Sequence, residues 1–128
     1  MDNKSNSLNW FEVPALDIDR AKKFYETIFD IKLDSMQDMM GMKMVGFPGE
    51  QGSGKANGAL VQSDQHKPSM DGCVVYLNAN PAIQPVIDRI EKAGGKVVMP
   101  KMEISPEIGC MAFFIDTEGN KMALHAQN

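Results

Sequence analysis

Apolar and polar positions alternate from Leu8 to Pro14, with Trp10, Glu12 and Pro14 on one side and Phe11 and Val13 on the other, the period of a half-buried strand. The period then lengthens. Ile18, Ala21, Tyr25 and Ile28, joined by Phe24 and Phe29, recur at helical spacing, while Arg20, Lys22, Lys23 and Glu26 fall outside the stripe. Asp17 stands just ahead of that stripe, where a carboxylate accepts bonds from the first free N–H groups of a helix. Further strands are predicted around Ile31 to Ser35, over the methionine-rich Met40 to Phe47, and over Ala56 to Gln62.

The same order then returns. Gly72 to Leu77 reads as a strand, and Asn80 followed by Pro81 is a helix-start signal. Ile83, Val86, Ile87, Ile90 and Ala93 give one apolar helical face, and Gly94 suits a left-handed end. Pro85 removes a backbone donor, so this helix is either distorted there or begins later. Lys96 to Met99, Gly109 to Ile115 and Asn120 to His125 read as three strands, the last two joined by the turn Asp116-Thr-Glu-Gly-Asn120 with Gly119 free to take positive φ.

Strand, helix and three strands thus occur twice, at an interval of roughly 63 to 68 residues. Gly41-Met-Lys-Met-Val-Gly-Phe47 echoes Gly109-Cys-Met-Ala-Phe-Phe-Ile115. A βαβββ unit leaves one apolar sheet face open, and two such units together can curl around a shared concave space. The expected architecture is α+β: one domain over residues 1–128, made of tandem βαβββ modules at about residues 8–65 and 71–127.

Composition narrows the function classes. With 128 residues, 43% of them apolar and 23% charged, the chain can bury a core without staples. Its net charge of -4 argues against nucleic acid or an anionic membrane surface as partner. The two cysteines, Cys73 and Cys110, form no CxxC pair and no disulfide framework, and the polar stretch Met1 to Asn9 has no export-signal character. A reduced, cytoplasmic setting is the expectation.

Three segments carry a resemblance. Val13-Pro-Ala-Leu-Asp-Ile-Asp-Arg-Ala-Lys-Lys-Phe-Tyr-Glu26 resembles the opening strand and helix of the vicinal oxygen chelate superfamily, which contains glyoxalases, bleomycin-resistance proteins and extradiol dioxygenases. Arg89-Ile-Glu-Lys-Ala-Gly-Gly-Lys-Val-Val98 and Phe114-Ile-Asp-Thr-Glu-Gly-Asn-Lys-Met-Ala-Leu124 are similar to its second helix-to-strand turn and its closing hairpin. The resemblance implies paired βαβββ modules forming a U-shaped sheet around a cavity, often completed by a homodimer. Asp30 departs from the helix-ending Gly usual there, but Asp tolerates left-handed geometry better than most residues.

In metal-using members of that family, four inward side chains hold a divalent ion. The matching positions here are Trp10, Ala59, Cys73 and Ala123. Trp and Ala offer no usable donor, and one thiolate does not make a site for a hard ion, so the resemblance implies a family member without the usual metal. Strand alternation places His125 on the same face as Ala123, and Glu12 on the same face as Trp10. Glu12 and His125 are therefore the candidate acid–base pair, and with Cys73 they would form a non-standard site for zinc, nickel or iron. Met40, Met42 and Met44 are expected to share a strand face and, with Trp10, Ala59, Cys73 and Ala123, to line an apolar pocket; Met36 and Met39 belong to the same cluster.

Tyr76, of opposite parity to Cys73, is expected to face a helix. His66 lies in the polar stretch Ser63 to Ser69, as a solvated linker residue or part of a lid. Gly49-Glu-Gln-Gly-Ser-Gly-Lys55 has phosphate-loop spacing, but Ala56 replaces the hydroxyl that would reach magnesium, and Asn57-Gly58 is a poor helix start. Two functions follow from the resemblance: a bleomycin-resistance-like protein that binds a small cationic or aromatic compound, or a glyoxalase-like lyase or isomerase acting on a small carbonyl metabolite.

Overall fold

The computed structural model describes residues 1–38, 40–50 and 52–128. Met39 of the methionine cluster and Gln51 of the glycine-rich loop lie outside the described residues. The chain runs β1 (Trp10–Pro14), α1 (Ile18–Phe29), β2 (Asp34–Ser35), β3 (Lys43–Gly46), β4 (Asn57–Gln62), β5 (Tyr76–Asn78), α2 (Gln84–Ile90), β6 (Lys96–Ser105), β7 (Gly109–Ile115) and β8 (Lys121–Ala126). The strands divide into two four-stranded mixed sheets of matching order, β1-β4-β3-β2 and β5-β8-β7-β6. In each, the first strand runs parallel to the last and the others are antiparallel. The repeat read from the sequence is therefore structural. Glu12 pairs with Ala59 as Tyr76 pairs with Ala123, both partners advancing by the same interval from one module to the next.

α1 forms where its stripe predicts. Asp17 takes an extended conformation and its side chain accepts from the N–H groups of Asp19 and Arg20, both at 3.1 Å. The helix buries Ile18, Ala21, Phe24, Tyr25 and Ile28, and Asp30 ends it in the left-handed region at φ 53°. α2 begins later than Asn80-Pro81 predicts, with Pro85 inside its first turn, where the missing N–H has no helical partner to lose.

Both helices and the inner faces of both sheets share one core. Val13, Val45 and Leu60 come from the first sheet, and Leu77, Ala112, Phe114 and Leu124 from the second. Tyr25 links the two: its ring lies 5.6 Å from that of Phe47 and 6.4 Å from that of Phe114. Gly95 permits this closeness, because a Cβ there would stand 2.8 Å from the Ile115 carbonyl oxygen and from the Phe24 ring. Gly95→Ala is accordingly expected to lower stability by about 1–3 kcal/mol through overpacking, measured as a reduced urea midpoint with an unchanged slope.

Three elements differ from expectation. β6 runs through Pro100 to Ser105, with register shifts against β7; as the outermost strand of its sheet it tolerates a residue that donates no hydrogen bond. β2 shrinks to two residues, because Leu33 turns into the core and its N–H is taken by the Glu26 carboxylate at 2.9 Å. β5 starts at Tyr76, four residues beyond Gly72, whose φ of 91° interrupts the extended chain. Among the described residues, no helix is long and apolar enough to cross a membrane.

Candidate functional site

β1 and β4 set the site on the open face of the first sheet. Phe11, Val13 and Leu60 turn inward to the core, so alternation sends Trp10, Glu12, Ala59 and Val61 to the other face. Ala59 and Val61 are fully buried there with Met44, and half-buried Met42 packs against them. Beside this apolar patch stands Glu12, whose side chain is 34% exposed. Trp10, 42% exposed, donates its ring N–H to Glu12 Oε2 at 3.2 Å.

The partner of Glu12 is His66. Its Nε2 lies 2.9 Å from Glu12 Oε1, and its Nδ1 lies 2.6 Å from Ser63 Oγ. The turn from Ser63 to His66 makes this contact possible: the His66 N–H bonds to the Ser63 carbonyl, and the Gln65 N–H bonds to Ser63 Oγ. The His66 bond first, and then the Trp10 bond, hold the Glu12 carboxyl below its ordinary range despite partial desolvation. Glu12 is thus a carboxylate at neutral pH, able only to accept. In the neutral imidazole the proton therefore sits on Nε2, and Nδ1 accepts from the Ser63 hydroxyl. Ser63 and His66 also line a cleft of about 580 Å3 with Lys43, Gln62, Lys67 and Glu118.

Several candidate residues take other places. Glu12 and His125 sit on different sheets, and His125 Nε2 is bonded to the Ile108 carbonyl at 2.7 Å. Glu12 is thus not beside His125; its hydrogen-bond partner is His66, whose side chain is mostly buried rather than solvated. Cys73 is exposed and precedes β5, so it does not face the interior from a strand. Tyr76, expected to face a helix, pairs with Ala123 on the open face of the second sheet and is 49% exposed, its ring 5.9 Å from Phe113. The late start of β5 makes parity counted from Cys73 invalid. Met40 does not share a face with Met44: it lies in a turn before β3, 85% exposed and with φ 49°. Ala123 is fully buried. Among the described residues, no three His, Cys, Asp or Glu side chains are grouped to hold a metal ion.

A second polar cluster ties the closing hairpin to the first module. Glu118, with a fully buried side chain, accepts from Arg20 Nε at 2.7 Å and Nη2 at 3.1 Å, and from the Leu16 and Asp17 N–H groups at 2.8 and 2.7 Å. Burial pushes its carboxyl upward, but the bonds from Arg20, the Asp17 N–H and the Thr117 hydroxyl outweigh that and leave it below its ordinary range. Asp116 accepts the Tyr25 hydroxyl at 2.7 Å, and burial first, then Asp116, drives the Tyr25 phenol well above its usual range. These residues position the cleft wall by holding β1 and the hairpin together; Asn120 Nδ2 also donates to the Pro14 carbonyl at 2.6 Å.

Comparison with known proteins agrees with the topology. A glyoxylase-like domain-containing protein of Didymella fabae is 28% identical over 119 residues, 91% of each chain. Among solved structures, a glyoxalase/bleomycin resistance protein from Albidiferax ferrireducens T118 superposes with a TM-score of 0.66 at 14% identity, over 96% of this chain and all of that one. Glyoxalase I from Zea mays gives a TM-score of 0.66 at 20% identity over 92% of this chain, which spans 43% of the maize protein. The sequence model of the Glyoxalase/Bleomycin resistance protein/Dioxygenase superfamily matches residues 7–124, and the chain belongs to that superfamily.

Proposed function

We propose that this protein is a small-molecule-binding member of its superfamily, working without the usual divalent ion and receiving a cationic or aromatic compound on the open face around Trp10 and Glu12. One observation carries the reading. Of the four positions that the resemblance assigns to metal ligands, Ala59 and Ala123 present buried methyl groups, Trp10 presents a ring whose only polar atom is a donor, and Cys73 lies outside its strand. What stands there instead is an ionised, part-exposed carboxylate beside an indole and a methionine-bearing apolar patch. That set attracts a positive charge carried on a flat apolar body.

The reading includes a homodimer and a cytoplasmic setting with both thiols reduced. The open face of the second sheet exposes Tyr76, and a second copy is the natural cover for it. Acid–base chemistry through Glu12 and His125 is not part of it, since each is bonded elsewhere.

The chain has one tryptophan, so Trp10 reports on its own site. Titration with benzyltrimethylammonium is expected to quench Trp10 emission saturably. Glu12→Gln is expected to weaken that binding about tenfold, by removing an attraction of about 1–2 kcal/mol. Stoichiometric zinc, nickel or iron in protein purified without chelator, or unchanged affinity in Glu12→Gln, overturns the proposal.

A further inference from the structure

We infer that Ser63, His66 and Glu12 form an acyl-transfer site, with Ser63 Oγ as the nucleophile, His66 as the base and Glu12 as the group that orients it. The inference goes beyond ligand binding; it shares Glu12 with that reading and adds Ser63 and His66. A serine hydroxyl is a weak nucleophile unless a positioned base takes its proton, and the base must be held in the right tautomer by a third group. All three conditions are met in one run of contacts: Ser63 Oγ to His66 Nδ1 at 2.6 Å, and His66 Nε2 to Glu12 Oε1 at 2.9 Å.

The arrangement is built from both local and long-range structure. Two residues separate Ser63 from His66, and their turn is closed by a backbone bridge, so their spacing is fixed by the chain. Glu12 arrives from β1, more than fifty residues earlier, and its second oxygen is tied down by the Trp10 ring N–H. The imidazole is mostly buried, with 17% of its side chain exposed, which limits competition from water for either nitrogen. Ser63 faces a cleft that can admit a small ester. Lys43 and Lys67 line that cleft with Asp64 and Glu118; Glu118 is already neutralised by Arg20, so the balance of free charge along the lining is positive, which favours the negative charge of a tetrahedral adduct.

The step is balanced as follows. Ser63 Oγ adds to the carbonyl carbon of an activated ester while its proton passes to His66 Nδ1, and Glu12 faces the imidazolium that forms. The adduct collapses, the C–O bond to the leaving group breaks, and that group departs with the proton from His66. Water then enters by the same relay, releasing the carboxylic acid and restoring the serine. Overall, ester and water give acid and alcohol.

The test uses a fluorophosphonate and p-nitrophenyl acetate on the full chain. The expected result is one phosphonate per chain, placed on Ser63 by peptide mass spectrometry, and p-nitrophenol release that Ser63→Ala abolishes. His66→Ala is expected to slow labelling by about 10²–10⁴-fold and Glu12→Gln by roughly tenfold or more, with thermal midpoints checked so that folding is not the cause. Absence of an adduct, an adduct on another residue, or labelling of a folded His66→Ala variant at the parental rate overturns the inference.

Discussion

Glu118→Ala is expected to lower the stability of this protein by about 2–4 kcal/mol, although the residue lies in a hairpin turn. The carboxylate is the common acceptor for the Arg20 guanidinium and for the Leu16 and Asp17 N–H groups, so it closes the entry to α1 from a position near the other end of the chain. Arg20 is half exposed and regains water when its partner is removed, which keeps the loss below that of a fully buried ion pair. The backbone donors cannot move away with the side chain, and they account for most of the cost. Glu118→Gln keeps one acceptor oxygen and should recover about half of the loss. Urea unfolding followed by far-UV circular dichroism measures both; a loss under about 0.5 kcal/mol for Glu118→Ala would show that the hairpin and α1 are held together by packing alone.

The same carboxylate gives the protein an acid-sensitive component. Its folded-state pKa lies below the unfolded value, so the unfolded chain binds the proton more readily. The stabilisation is complete above the ordinary glutamate value of about 4.3 and is lost as pH falls through the lower folded value. Glu12, held low by His66 and then by Trp10, contributes with the same sign. Unfolding free energies measured from about pH 6 down to about pH 3 should fall more steeply in the parent chain than in Glu118→Gln. Parallel curves would remove Glu118 from the account.

The fold was far more legible than the site, for physical reasons. α1 declared itself because a continuous apolar stripe, a capping Asp17 and a left-handed Asp30 act within a few residues of one another. The duplication was legible because each module must bury one sheet face, which repeats the same pattern. β5 and β6 depart from the sequence pattern where a single residue resets the count: positive φ at Gly72 delays one strand, and β6 continues through Pro100 because the outermost position tolerates it. The polar centres depend on contacts at long range. Alternation puts the Glu12 carboxylate on the Trp10 face of its strand, but nothing near it in sequence points to His66. Ser63 and His66 stand at turn spacing within a polar stretch, the one local signal available, and such a stretch reads equally well as solvated linker. A glutamate followed by glycine in a hairpin likewise reads as surface, and the burial of Glu118 follows only from the docking of that hairpin on α1.

The largest loss is expected from Asp116→Ala, about 3–5 kcal/mol. Asp116 is buried and accepts four bonds: the Tyr25 hydroxyl at 2.7 Å, the Glu118 and Asn120 N–H groups each at 2.9 Å, and Asn120 Nδ2 at 3.0 Å. Alanine leaves these donors facing one another in a region closed to water, and two of them belong to the backbone and cannot rotate away. Tyr25→Phe removes a single donor and leaves Asp116 with its other three, so its cost should be only about 1–1.5 kcal/mol. Asp116→Asn separates shape from chemistry: it fills the same space but turns an amide N–H₂ toward donors, and should lie closer to Asp116→Ala than to the parent chain. In a cycle built from Asp116→Ala and Tyr25→Phe, the double variant should be less destabilised than the sum of the two, because removing the hydroxyl relieves one of the stranded donors. Strict additivity would show that the Tyr25–Asp116 contact contributes nothing to joining the two modules, and that their shared apolar core alone keeps the cleft in shape.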